Sequence, residues 1–69
     1  MIEMNKLKAE RLRQEMTQRE LAEEAGCTVR TIHNAETGRS VRRDTQRRVL
    51  KALGLEWADA PLFFRRPIR

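Results

Sequence analysis

The run at residues 17–38, TQRELAEEAGCTVRTIHNAETG, leaves this chain few folds to choose from. Thr17 followed three residues later by Glu20 is a capping box. The hydroxyl accepts from a free backbone N–H of the first turn, and the carboxylate reaches back to the cap's own N–H. Leu21, Ala22 and Ala25 recur at helical spacing. Gly26 stops that helix, because glycine takes the left-handed conformation without a Cβ clash. Thr28 offers a second hydroxyl cap only two residues later, and Ile32 and Ala35 give the next helix a buried side. So short a link makes the two helices cross steeply, as helix, tight turn, helix.

The flanks carry the same helical punctuation. Residues 1–5 read as a ragged end. Residues 6–14 are rich in charge and helix formers, with Leu7 and Leu12 apolar, and Glu15 and Met16 form the link to Thr17. Residues 37–43 read as a loop opened by Gly38. Residues 44–53 predict a fourth helix, with Val49, Leu50 and Leu53 on its apolar face and Gly54 ending it. Trp57 opens a short fifth helix that Pro61 and Pro67 keep from growing long. Strand patterns, repeats and linkers are missing. The reading is all-α, a compact bundle of four to five short helices forming one domain over 1–69, its core in 6–55 and its tail in 56–69.

Composition narrows the function classes. Sixty-nine residues lie near the lower limit for folding on one hydrophobic core. A membrane-spanning run and a secretion signal are both missing, and a single cysteine forms no internal disulfide. These features place the chain in a reducing, cytoplasmic setting. Fifteen Lys plus Arg against ten acids give a net charge of +5, which suits a polyanionic partner.

The chain resembles the Cro/C1-type, xenobiotic-response-element-like helix-turn-helix regulators of bacteria and phages. The resemblance rests on LKAER at 7–11, MTQRELAEEAG at 16–26, TVRTIHNAETG at 28–38 and ALGL at 52–55. It implies a lambda repressor-like DNA-binding fold. Three positions depart from the family pattern. Glu15 and Cys27 stand where glycine and valine are common, and Arg43 replaces a polar or proline residue before the fourth helix.

A helix that enters the major groove presents donors and acceptors near its N-terminal end. In this chain that helix is about 28–36. Arg30 can bond guanine O6 and N7, Asn34 can bond adenine N6 and N7, and Val29 can pack on a thymine methyl. The resemblance implies base reading at Val29, Arg30 and Asn34, and His33 borders them. Gln18, at the start of the second helix, matches a family glutamine that contacts the DNA backbone. The helix dipole and free N–H groups there favour a phosphate. Thr28 is first a cap and then a candidate phosphate contact. Arg39, Arg42 and Arg43 lie where the family grips the backbone beyond the groove, whereas Arg47 and Arg48 read equally well as plain helix surface. The resemblance also implies a partly buried structural ion pair between Arg11 and Glu36.

Catalysis and metal binding find no constellation. His33 is the sole histidine, and neither an acid pair nor a nucleophile with a base accompanies it. The chain therefore reads as a non-enzyme that needs no cofactor or metal. Cys27 reads as a small buried apolar side chain, with a redox sensor as the alternative, which requires an exposed low-pKa thiolate. The tail GLEWADAPLFFRRPIR holds all the aromatics, Trp57, Phe63 and Phe64, and adds Leu62 and Ile68. It reads as core completion, as a dimer surface, or as the stump of a longer protein. The favoured arrangement puts Trp57 in the core and some of Leu62, Phe63 and Phe64 at a contact surface.

The expected function is sequence-specific binding of double-stranded DNA as a transcriptional regulator, a phage or mobile-element repressor type. The expected assembly is a homodimer on a pseudo-palindromic operator, with neither membrane nor small-molecule substrate involved. The competing readings are a protein-interaction adaptor or an antitoxin on the same fold.

Overall fold

Each helix of the motif begins where a hydroxyl satisfies its free N–H groups. In a computed structural model that describes residues 6–64, Thr17 Oγ1 accepts from Glu20 N at 3.0 Å, and Glu20 Oε1 accepts from Thr17 N at 2.8 Å. This capping box opens α2, Gln18–Ala25. Gly26 at φ 73° ends it, and Cys27 N donates back to Ala22 O at 2.9 Å. Thr28 Oγ1 then accepts from Thr31 N at 3.1 Å and opens α3, Val29–Glu36.

Three further helices enclose this pair. They are α1 at Lys6–Arg13, α4 at Arg43–Ala52 and α5 at Ala60–Phe63, the last preceded by a single 3-10 turn at Trp57–Asp59. The described residues contain no strand. α4 and α3 both pack on α2, while α1 packs on α3 and on α5. Leu7, Leu21, Ile32, Val49 and Leu50 are fully buried at the centre, one or two from each of the first four helices. The all-α fold with five helices stands as expected from the sequence. The residues expected to form a ragged start, together with Pro67 and Ile68, lie outside the described segment.

Several boundaries and side chains differ from the sequence reading. α1 stops one residue early, at Arg13, and Arg43 is the first residue of α4 rather than the end of the loop. Leu12 is apolar yet 47 % exposed. Trp57 is not in the core: it is 36 % exposed, and the Arg47 guanidinium lies 5.0 Å from its ring centroid. Phe64 takes the buried place instead, together with Ala60. The cause is the 3-10 turn. It leaves Trp57 at the outer start of the tail and brings the next helical turn back against α1 and α4. Pro61 is accommodated because the first turn of a helix does not use its missing N–H.

α1 ends in a conformation that its sequence does not favour. Glu15 N donates to Leu12 O at 2.9 Å and Met16 N to Arg11 O at 3.1 Å. This is the same pair of closing bonds that Gly26 and Gly54 make at the ends of α2 and α4. Glu15 holds φ 58°, the one non-glycine with positive φ among the described residues. It occupies the position where the resembling family often has glycine, and there a Cβ crowds the following carbonyl.

Candidate nucleic-acid interface

At 100° per residue, the buried side chains of α3, Ile32, Ala35 and Glu36, define one face. Arg30 and Asn34 fall on the opposite face, with His33 at its border, whereas Val29 lies next to Glu36 on the flank of the buried face. Arg30, His33 and Val29 are exposed, Val29 at 42 %, and Asn34 is half-buried. Three of the four residues read from the sequence as base contacts therefore share the outward side of one short helix, and Val29 stands apart from them on the flank of the buried face. A cap closes that helix at its start. Its end is fixed by Arg39 N donating to Asn34 O at 2.9 Å and by Gly38 at φ 86°. These bonds fix where the chain leaves α3 and carries Arg39 onward.

The exposed arginines among the described residues divide into two groups. Arg48 pairs with Asp44 at 3.3 Å, Arg19 with Glu23 at 3.5 Å, and Arg47 lies over Trp57. Arg30, Arg39, Arg42 and Arg43 are exposed and form no ion pair among the described residues. The start of α4 adds to this concentration. Arg42 occupies its cap position without a capping side-chain hydrogen bond, and Arg43 is its first residue. Two cations at the positive end of a helix oppose its dipole. Asp44 in the first turn offsets part of that charge and is itself tied to Arg48.

Behind α3 the opposite situation holds. Arg11 and Glu36 are 6 % and 7 % exposed. Arg11 Nε donates to Glu36 Oε2 at 2.6 Å and Arg11 Nη2 to Glu36 Oε1 at 3.2 Å, a bidentate pair. Arg11 Nη1 donates to Met16 O at 2.7 Å, and Gln18 Nε2 to Glu36 Oε1 at 3.1 Å. The Arg11–Glu36 pair thus gathers α1, the link after it, α2 and α3. Among the described residues no buried side-chain nitrogen or oxygen lacks a partner. The Gln18 bond is absent from the sequence reading, in which this residue is a phosphate contact alone. No local pattern signals it, since residues 18 and 36 meet only through the crossing of α2 and α3.

Thr28 is similarly committed. Its hydroxyl serves Thr31 N and lies 3.0 Å from Thr31 Oγ1, so its backbone N–H is the group left for an anion. Cys27 is half-buried against the core, and burial pushes its thiol pKa up while nearby Arg48 opposes the shift. That direction favours the neutral, packed thiol over a reactive thiolate. Among the described residues no group of three or more His, Cys, Asp or Glu could hold a metal ion, and no helix is long and apolar enough to cross a membrane.

A family model described as a helix-turn-helix domain matches residues 5–62, and the chain belongs to that family. The match covers α1, both motif helices, α4 and half of the tail. No curated protein matches the chain. Membership in a DNA-binding helix-turn-helix family makes DNA the partner class and is typical of non-enzymatic proteins.

Proposed function

We propose that this protein is a sequence-specific regulator of transcription that reads double-stranded DNA with α3 in the major groove. The observation that carries the reading is the set of four arginines, Arg30 on α3 and Arg39, Arg42 and Arg43 between its end and the start of α4, exposed and without ion-pair partners among the described residues of a helix-turn-helix domain. Arg30 bonds a guanine edge, Asn34 an adenine edge, Val29 packs on a thymine methyl, and His33 lines the same face. Arg39, Arg42, Arg43 and the start of α4 hold phosphates on one side of the groove. Gln18 and the Thr28 backbone N–H hold them on the other. The chain acts as one domain, as a repressor of phage or mobile-element type in the cytoplasm. It pairs as a homodimer on a pseudo-palindromic operator, with exposed Leu62 of the tail available to the partner.

Titration of mixed genomic DNA against salt tests the reading. Each phosphate neutralised by an arginine contributes a log–log slope of about −0.9, so Arg39, Arg42 and Arg43 give a slope of roughly −3 per protomer and about −5 for the dimer. A protein-interaction adaptor on the same fold would show a slope near zero.

A further inference from the structure

We propose that Gln18 is a specificity-determining positioning residue: the hydrogen bond from its amide to Glu36 sets the pose of α3 against α2, and through that pose the discrimination between bases. The inference rests on the DNA-reading assignment above. α3 is eight residues long and is held to the core through Ile32 and Ala35, which join Leu21, Ala22 and Ala25 of α2 in one apolar cluster. Apolar contact is non-directional, and alanines offer little relief to resist a slide or roll of one helix on another. A hydrogen bond of fixed length and angle resists both. Gln18 Nε2 to Glu36 Oε1, at 3.1 Å, is a directional side-chain link from the first residue of α2 to the last residue of α3.

The other end of that link is anchored. Glu36 is bidentate to Arg11, and Arg11 is bonded in turn to Met16 O at the close of α1. The carboxylate is therefore a fixed post, and Gln18 ties α2 to it. Only one of the two amide hydrogens is needed for this bond, so the tie is compatible with a second donor role outward. Base reading by Arg30 and Asn34 depends on bidentate geometry, which weakens steeply as donors move off line. A loosened α3 keeps its charge and its contact with phosphates but loses that alignment.

The test compares Gln18→Met, which keeps length and removes the donor, with Gln18→Lys, which restores a donor to Glu36. Binding is measured at several salt concentrations to the site selected from a random DNA pool and to its single-base variants, with the urea midpoint recorded for each protein. Gln18→Met is expected to lower affinity for the preferred site roughly tenfold and for altered sites about twofold at most, with the midpoint near wild type. Gln18→Lys is expected to recover most of the lost discrimination. Gln18→Ala gives the same readout should Gln18→Met fail to fold. A uniform loss across all sites makes Gln18 a phosphate contact only and overturns the proposal, as does no change at all; the salt slope stays near wild type for Gln18→Met because a neutral amide displaces no counterion. Absence of any sequence preference in the wild type would overturn the DNA-reading assignment instead.

Discussion

Arg11 and Arg42 carry the same charge in opposite settings. Arg11 is 6 % exposed, and Glu36 and Met16 O take its donors. Arg42 is exposed, has no ion pair among the described residues, and stands at a helix start that would be better served by a serine or an aspartate. The first arginine is explained entirely by the fold. The second works against the fold, and the phosphate contact proposed for it would account for its presence. A surface charge that costs local stability says more about function than one that is merely exposed, because most exposed arginines are neutral to the fold.

Removing Arg11 should have the largest effect on the fold. Arg11→Met leaves the Glu36 carboxylate buried and unpaired, and urea unfolding is expected to show a loss of about 3 kcal/mol or more. Adding Glu36→Gln should return part of it. Arg39→Met, drawn from the exposed set, should stay within about 0.5 kcal/mol of wild type. Strict additivity of the Arg11 and Glu36 changes would deny that the two form one unit.

Within the exposed set, Arg30 and its neighbours separate by what they touch. Arg30→Ala should cost about 1–3 kcal/mol of binding on the preferred site and little on a site altered at the matching base pair. Equal loss on every sequence would remove Arg30 from the base-reading face. Glu15→Gly addresses a second position that opposes the fold. Relief of the left-handed strain, less the extra freedom glycine gives the unfolded chain, should raise stability by up to about 1 kcal/mol. DNA affinity should not move. A drop in the urea midpoint would contradict the positive φ.

The parts of this molecule that can be read from sequence are the local ones. Thr17 with Glu20, Gly26 and Thr28 are caps and stops whose partners lie within a few residues, so α2 and α3 are legible almost to the residue. Arg11 and Glu36 are 25 residues apart, and no spacing rule joins them; only the family resemblance suggests the pair. The Gln18 bond to Glu36 is invisible in sequence because it depends on how two helices cross. Hydropathy marks the tail as apolar but cannot choose between Trp57 and Phe64, since the choice follows from a single 3-10 turn. Sequence places the start of α4 one residue late because no capping residue announces it. Arginine at the cap is the same feature that points to a polyanion.

Arg42→Ser tests most directly whether that charge is held for DNA. Serine at the cap of α4 supplies the missing acceptor, so the urea midpoint should rise by an amount equal to about 0.5–1 kcal/mol. In the same protein, affinity for every DNA sequence should fall about equally, and the log–log salt slope should shrink by about one unit. Opposite movement of stability and binding is the expected result. A variant that gains stability and binds DNA with unchanged affinity and salt slope would show that Arg42 grips no phosphate, and would leave an arginine at the cap of α4 without a function to offset its cost.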